Sequence, residues 1–176
     1  MEDEKFEQLT GEPCPVCHKK TLTLVEATRD VPYFGPCYLF SMNCSSCSYH
    51  KADVEVEQNK GPAKYTFMLE SEDDLKVRVV KSSNATVKIG TVGTIEPGEA
   101  ANGYITNIEG LLNRIKTRVE HLKQAASDEG DKDAVKKAKT HLKKLQRALW
   151  GQEKLKITLT DPTGNSAIIS PKAAKK

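Results

Sequence analysis

The sequence lacks the long apolar run that a membrane-spanning helix needs. No stretch reaches the roughly 18 apolar residues of a minimal span, which excludes an ordinary membrane helix. The first residues, Met1-Glu2-Asp3-Glu4-Lys5, are acidic and are not followed by the apolar segment of a secretory signal. We therefore expect a cytoplasmic protein.

The sequence also lacks the motifs of common enzyme classes. It contains no G-x-x-x-x-G-K-S/T phosphate loop, no G-x-G-x-x-G after a predicted strand and no G-x-S-x-G. No histidine lies in the predicted strands, so a metal site made of histidine and carboxylate has no ligands there. These absences favour a binding protein over an enzyme, and no small-molecule substrate is expected.

Cysteine is scarce, yet four of the five cysteines form two C-x-x-C pairs. Cys14 and Cys17 make the first pair, and Cys44 and Cys47 make the second after 26 intervening residues. Two such pairs are the signature of one zinc ion held by four thiolates, and four protein ligands indicate a closed, structural site. Disulfides would need an oxidising compartment and a redox motif needs only one pair, so both explain the pattern less well.

A fifth cysteine and two histidines lie near these pairs. Cys37 begins a strand-like run that leads into the second pair, and we interpret it as a buried, inert thiol. His18 and His50 follow the two pairs and could in principle replace a thiolate. Because four cysteines are already available, we expect these histidines to face solvent or to support the ligands from outside the coordination shell.

Short alternating runs predict a mostly β protein. The runs are separated by glycine, proline, serine and asparagine, as is typical of turns. The first two form a β-ribbon around the zinc site, and the others form an antiparallel sandwich or a barrel-like sheet. The predicted strands cover 21–25, 37–43, 54–57, 65–69, 77–81, 85–89, 155–160 and 167–169.

A change to helical period marks two amphipathic helices between these strands. Apolar residues recur three and four positions apart over 108–122 and again over 134–149. Thr106 as N-cap and Glu109 fit a capping box at the start of the first helix. A short acidic segment with a glycine separates the helices, which predicts an antiparallel hairpin at about 106–150.

Basic charge is concentrated in this hairpin. Residues 111–149 contain 11 Lys+Arg against 5 Asp+Glu, whereas the rest of the chain contains 16 against 19. Such asymmetry suits a protein that meets a polyanion or an acidic partner surface, although a solvated, lysine-rich helix face gives the same pattern.

These patterns divide the chain into two predicted domains. Residues 1–53 form the zinc ribbon, and residues 54–171 form the β domain that contains the hairpin. The last residues, 172–176, are expected to be a frayed tail.

Several motifs together resemble the ZPR-one (ZPR1) zinc-finger family in its single-module, archaeal-type form. The two motifs on either side of the helical insertion are the most specific, since many zinc ribbons share the cysteine pairs alone. In chain order the motifs are Cys14-Pro15-Val16-Cys17, Val31-Pro32-Tyr33-Phe34, Cys44-Ser45-Ser46-Cys47-Ser48-Tyr49, 79–82 with 85–89, 95–98, Ile105-Thr106-Asn107-Ile108-Glu109-Gly110-Leu111-Leu112 and Asp161-Pro162-Thr163-Gly164-Asn165-Ser166.

The resemblance implies both a fold and a function. The fold is α+β but mostly β: an N-terminal zinc ribbon, then a double-stranded β-helix (jelly-roll-like) domain with an inserted antiparallel α-helical hairpin. The function is binding of translation elongation factor one-alpha, here the archaeal counterpart, as a folding factor (chaperone) or regulator. The sequence departs from the family pattern at Ser48, where glycine is usual, and at 50–52. It also carries one module where eukaryotic members carry two.

Candidate partner-binding residues come from three segments. Two aromatic residues at the predicted ribbon tip can be interface anchors or can pack on the β domain. The basic hairpin can serve a protein partner or, as the alternative function, RNA or DNA. The polar loop near the C-terminus either presents its side chains or is a tight turn. The residues are, in that order, Tyr33 and Phe34; Lys136, Lys143 and Arg147; and Asp161 and Asn165.

Overall fold

Antiparallel sheets make up most of the structure, which is a computed structural model describing residues 6–31, 35–56, 61–98 and 101–176. Within those ranges there are also a 3-10 helix (Glu72–Lys76) and two α-helices, α1 (Ile108–Asp128) and α2 (Lys132–Leu149). The predicted mostly β fold is confirmed. The strands of the described chain are β1 (Phe6–Pro13), β2 (Lys20–Val31), β3 (Gly35–Cys44), β4 (His50–Val56), β5 (Ala63–Leu69), β6 (Arg78–Lys81), β7 (Thr86–Ile89), β8 (Gly93–Ile95), β9 (Tyr104–Asn107), β10 (Leu155–Asp161), β11 (Ala167–Ile169) and β12 (Ala174–Lys175).

The zinc ribbon is a four-stranded sheet in the order β1-β2-β3-β4. The central pair runs from Leu22 opposite Cys44 to Val31 opposite Gly35. This register brings both C-x-x-C segments to the same end of the sheet. The ribbon is wider than the predicted pair of strands, because β1 and β4 add a strand on either side.

The jelly-roll domain consists of a five-stranded sheet, β12-β5-β10-β7-β8, and a three-stranded sheet, β11-β6-β9. Most neighbouring strands are distant in sequence, an order that the local pattern could not give. β10 alternates inward and outward side chains, so Ile157 and Leu159 are buried beside Phe67 of β5. Val79 and Ile168 of the second sheet join the same core. Each large buried side chain contributes roughly 1.5–3 kcal/mol to stability.

The helical hairpin is inserted between β9 and β10, the latter being the middle strand of the five-stranded sheet. Leu111 and Leu112 near the start of α1 and Leu145 near the end of α2 are fully buried in the jelly-roll core. Leu122, further along α1, is 56% exposed. The hairpin is therefore anchored at its base. Neither helix is long and apolar enough to cross a membrane.

The start of α1 differs from the prediction. Thr106 is not the N-cap, because it still pairs with Val79 in the sheet. The N-cap is Asn107, whose Oδ1 accepts a hydrogen bond from the Gly110 N–H at 2.7 Å. A Cβ at Gly110 would overlap Thr106 Oγ1. Glycine at this position therefore allows the helix to begin directly against the strand.

The C-terminal residues pair with the sheet, so the expectation of a frayed tail is wrong. Ala174 and Lys175 form β12 against β5, and Lys176 exchanges two backbone hydrogen bonds with Lys64 at 2.9 and 3.0 Å. The Lys172 Nζ lies 2.8 Å from the buried carboxylate of Asp74. Edge pairing and this ion pair hold the segment in place.

A small apolar cluster joins the ribbon to the jelly roll. Cys37 of β3 is fully buried against Val80 and Ala167, which confirms the expected burial of this thiol. Beside it, the Asp53 carboxylate accepts a hydrogen bond from the Gly103 N–H at 2.8 Å. A Cβ at Gly103 would lie 2.8 Å from the Val54 carbonyl oxygen, so the close approach of the two units requires glycine here.

Candidate metal centre and interaction surfaces

The four predicted zinc ligands come together at one end of the ribbon. The Sγ atoms of Cys14, Cys17, Cys44 and Cys47 all lie within 4.8 Å of one another. The sulfurs of Cys14 and Cys47 are 3.7 Å apart, as are those of Cys17 and Cys44. A tetrahedral zinc ion with Zn–S bonds of about 2.3 Å places its sulfurs about 3.8 Å apart. The cluster therefore fits a closed four-thiolate zinc site.

Both C-x-x-C segments fold into the same turn. The N–H of His18 donates to the Cys14 carbonyl at 2.9 Å, and the N–H of Ser48 donates to the Cys44 carbonyl at 3.0 Å. His18 and Ser48 each have a φ of 58°, in the left-handed region that favours glycine. Each turn thus reverses the chain directly after its second cysteine, which allows two sulfurs to face one point.

Hydrogen bonding prepares one thiol to ionise. The Thr21 hydroxyl lies 3.3 Å from the Cys44 sulfur, and this bond is the main reason that the pKa of Cys44 falls to about 6. At Cys47 the backbone N–H of Tyr49 favours the thiolate, but desolvation and the neighbouring sulfurs outweigh it and raise the pKa to about 12. A bound zinc ion supplies the positive charge that lets all four sulfurs be thiolates.

The two nearby histidines lie outside the sulfur cluster. His18 is exposed on the first turn. His50 is exposed at the start of β4, where its Nδ1 is 2.7 Å from Asn43 Oδ1. This position agrees with the expectation that the histidines are not ligands.

The predicted basic residues lie on the outer side of α2. Lys136 and Lys143 are exposed and make no ion pair with any residue that the structure describes. The Nε atom of Arg147 lies 3.7 Å from a carboxylate oxygen of Glu153, and both side chains are partly exposed. An exposed pair of this length contributes little to stability, so these cations are available to a partner.

The predicted polar loop after β10 is organised by a buried carboxylate. Asp161 is 1% exposed. One of its oxygens accepts hydrogen bonds from the hydroxyls of Ser82 and Ser166, and the other accepts from the N–H and hydroxyl of Thr163. Burial alone would raise the pKa of Asp161, but these bonds lower it. A partner could reach this carboxylate only if the loop opened. Asn165 is half-buried, and its Oδ1 has no hydrogen-bond partner within the described chain.

A buried cation beside this loop was not predicted. Lys81 is 4% exposed, and its Nζ donates to the Ser82 carbonyl at 2.9 Å. The same Nζ lies 5.5 Å from the centroid of the Tyr104 ring. The Arg114 guanidinium also lies near this ring, at 4.4 Å from its centroid. Burial lowers the pKa of Lys81, whereas the charge of Asp161 acts to raise it. The lysine thus links the loop to the base of the hairpin.

Two further candidates, Tyr33 and Phe34, lie outside the described residues. Their role as aromatic anchors stays a prediction.

Models of two protein-family domains match this chain. The ZPR1 zinc-finger domain matches residues 7–59, and the ZPR1 jelly-roll domain matches residues 73–176. The chain belongs to the ZPR1 family. The predicted family and the predicted zinc cofactor are both confirmed.

Relatives of this ZPR1 chain occur in archaea and eukaryotes. A ZPR1-like protein of Methanocaldococcus jannaschii is 39% identical over 158 residues, which cover 89% of this chain and 78% of that protein. A ZPR1-like protein of Pyrococcus horikoshii is 33% identical over 178 residues, covering all of this chain and 80% of the relative. The zinc finger chaperone zpr1 of Schizosaccharomyces pombe is 31% identical over 157 residues, covering 88% of this chain but 33% of that protein.

The structure explains two positions in the ZPR1 motifs. Gly110 is needed because α1 begins against Thr106, as described above. The glycine expected after the second cysteine pair corresponds to Ser48, which adopts the left-handed conformation despite its side chain. Ser48 therefore occupies a backbone conformation for which glycine is the best-suited residue.

Proposed function

We propose that this ZPR1 family member is a zinc-stabilised protein-interaction module that binds translation elongation factor one-alpha. Its role would be that of a folding or regulatory factor for this partner. Membership of the ZPR1 family and the name zinc finger chaperone of the yeast relative support a protein partner. The identity of that partner rests on the family resemblance and is the part that experiment must decide.

The observation that carries the proposal is the exposed lysine face of α2. Seven Lys and Arg residues occur in 18, against one acidic residue, Asp133. Five of the lysines are exposed and make no ion pair with the described residues: Lys132, Lys136, Lys137, Lys139 and Lys143. Because the base of the hairpin is buried in the jelly-roll core, the position of this helix face relative to the jelly roll is fixed. Its charge suits an acidic surface on a folded partner.

The predicted contact residues can now be ranked by position. Lys136 and Lys143 are the first candidates, since they are exposed and form no ion pair with the part of the chain that the structure describes. Arg147 would exchange its long contact with Glu153 for the partner. Asn165 has a side-chain oxygen without a hydrogen-bond partner inside the described chain, but this atom is buried, so a partner would reach it only after the loop moved. Asp161 would act indirectly, because its hydrogen bonds stabilise the conformation of the loop that contains Asn165.

Charge reversal on α2 tests this proposal. Titration calorimetry would compare the affinity of purified elongation factor one-alpha for the parent chain and for Lys136→Glu/Lys143→Glu. We expect at least about a tenfold loss, since two favourable long-range contacts become repulsive. Lys88→Glu/Lys156→Glu is the matched control, because both lysines are exposed on the jelly-roll strands. Equal affinities for both double variants would refute the hairpin as a contact.

The same lysine face favours a second candidate function, binding of RNA. Lysines spaced along one helix face can neutralise successive phosphates, and affinity would then fall steeply with salt. Titration of a structured RNA at two salt concentrations distinguishes this function from protein binding. RNA affinity that stays weak and barely changes with salt would reject it.

A further inference from the structure

One face of the zinc-ribbon sheet is left open by the rest of the described chain. Antiparallel register places side chains of β1 to β4 in rows across this face. The row nearest the sulfur cluster is Leu9, Leu24, Met42 and Lys51. The next row is Glu7, Glu26, Phe40 and Asp53, and a third contains Thr28, Tyr38 and Glu55. We call this surface the open face.

The opposite face of the same sheet is the one that meets the jelly roll. Cys37 and Val54 point to that side and pack in the cluster with Val80 and Ala167. Side chains alternate between the two faces of a strand, so Tyr38 and Glu55 point away from this contact. Among the open-face residues, Asp53 on the edge strand β4 reaches the jelly roll through the Gly103 N–H, whereas Tyr38 and Glu55 point away from the joining cluster.

The middle of the open face is apolar and concave. A groove of about 250 Å³ is lined by Phe40, Met42, Lys51, Asp53 and Glu55. Beside it, Leu9 is 60% exposed, whereas Leu24 is half-buried. Phe40 and Met42 are half-buried and form an apolar floor between charged side chains, so the groove can take one apolar side chain of a partner.

The rim of the open face is acidic. The rim carries one basic residue, Lys51, and four acidic residues: Glu7, Glu26, Asp53 and Glu55. Glu7, Glu26 and Glu55 are exposed and make no ion pair with any described residue. One oxygen of Asp53 is occupied by the Gly103 N–H. Three uncompensated carboxylates around an apolar groove select for a ligand of the opposite charge.

We propose that the open face is a docking surface for a basic segment of the protein partner, with an aliphatic or aromatic side chain flanked by Lys or Arg. The proposal rests on the function proposed above and adds a second, oppositely charged surface to the lysine face of α2. The central side chain of the segment would fill the groove over Phe40 and Met42. Its cations would meet Glu26 and Glu55.

A second copy of this chain suits the open face less well. Its lysine face on α2 has the right charge, but Lys136, Thr140 and Lys143 place no large apolar side chain there. The groove over Phe40 and Met42 would then remain unfilled. A separate partner that combines charge with an apolar anchor satisfies both features of the surface.

The test reverses the rim charge and compares it with a matched change elsewhere. Glu26→Lys/Glu55→Lys is expected to weaken binding of elongation factor one-alpha by about tenfold or more, with a smaller loss at high salt. Glu96→Lys, at an exposed position after β8, should change affinity by less than about twofold. Leu9→Ser should also weaken binding, whereas Met68→Ser, at an exposed position on β5, should not. Zinc content and melting temperature verify that each variant is folded, and Glu26→Gln/Glu55→Gln replaces the lysine variant if it fails to fold.

A second probe decides the proposal independently of the elongation factor. A synthetic peptide of alternating Lys and Leu would be titrated while backbone NMR signals are followed. We expect saturable shifts at Leu24, Phe40 and Met42 that vanish in Glu26→Lys/Glu55→Lys. If the parent chain binds no elongation factor but shows these shifts, the proposed partner is wrong and the open face stands. Full binding of the factor by the rim variants, or a peptide that leaves this face unperturbed, would overturn the open face.

Sedimentation velocity tests whether a second copy of this chain occupies the open face, by measuring the oligomeric state. We expect the parent chain to sediment as a monomer. A dimer that Glu26→Lys dissociates would assign the face to a second copy and overturn the proposal of a separate partner.

Discussion

Replacing Ser48 by glycine should stabilise the zinc-loaded protein. Ser48 has a φ of 58°, and a left-handed residue with a side chain costs about 1–2 kcal/mol. Glycine removes that strain but loses more backbone entropy on folding, by about 0.5–1 kcal/mol. The net gain is about 0.5–1 kcal/mol, which corresponds to about 1–4 °C in melting temperature for a chain of this size. Since the turn carries two ligands, zinc affinity should rise about two- to fivefold.

Two neighbouring substitutions make this prediction specific. His18→Gly should give a similar gain, because His18 occupies the equivalent position and has the same φ. Ser46→Gly should instead lose about 0.4–1 kcal/mol, since Ser46 has no positive φ and glycine only adds freedom to the unfolded chain. Thermal unfolding by circular dichroism, with zinc competition against a coloured chelator, measures both effects. A destabilised Ser48→Gly protein, or an equal gain in Ser46→Gly, would refute the reasoning.

Three further substitutions test the packing and the buried charges. Gly110→Ala should cost about 1–3 kcal/mol in urea denaturation, because its methyl group overlaps Thr106 Oγ1, and adding Thr106→Ala should recover part of the loss; no recovery would argue against this clash. Asp161→Asn should lower the free energy of unfolding by about 2–4 kcal/mol, since the amide cannot accept all four hydrogen bonds; a change within about 0.5 kcal/mol would contradict the buried network. Burial disfavours the charged form of Asp74, but the Lys172 ammonium and two backbone N–H groups outweigh this effect and lower the pKa of Asp74. The contribution of this carboxylate to folding stability is therefore present above about pH 4 and is lost as the pH falls through the lowered pKa. The melting temperature of Lys172→Ala should therefore lie below that of the parent at pH 7 and converge with it in acid, and a gap that does not depend on pH would contradict this linkage.

Local sequence patterns predicted the features that local physics determines. The two cysteine pairs specify a metal, because each turn needs only four adjacent residues to aim two sulfurs at one point. The strands β2, β3, β5, β6, β7, β10 and β11 match predicted runs, and both helices match the predicted hairpin. In these segments alternation or helical periodicity places apolar side chains on one face. The predicted strand at 54–57 overlaps the end of β4, which pairs in the ribbon sheet and not in the β domain to which it was assigned. The jelly-roll form itself came from the family resemblance, since strand order depends on distant pairings.

Elements that depend on a neighbour were missed. The β1 segment is exposed along nearly its whole length and contains Gly11 and Pro13, so no buried face marks it. It is a strand because it pairs with β2. The same reason explains the C-terminal residues, whose pairing with β5 cannot be read from a lysine-rich tail. Thr106 and Asn107 are both capable N-caps, and the pairing of Thr106 with Val79 decides between them.

The buried polar groups also depend on distant contacts. Asp161 is 79 residues from Ser82, so the sequence of the loop could suggest a turn but not the carboxylate at its centre. Lys81 ends a strand and has no local feature that marks it as buried beside Tyr104. The open face of the ribbon was missed for a related reason. Its acidic and apolar residues come from four strands, and only their register brings them together.

Calorimetric titration of the zinc-loaded chain with elongation factor one-alpha tests the central claim most directly. The factor would be presented in its GDP-bound, GTP-analogue-bound and nucleotide-free forms. The account predicts saturable 1:1 binding to at least one form, which is lost when a chelator removes the zinc. Absence of binding to all three forms would contradict it.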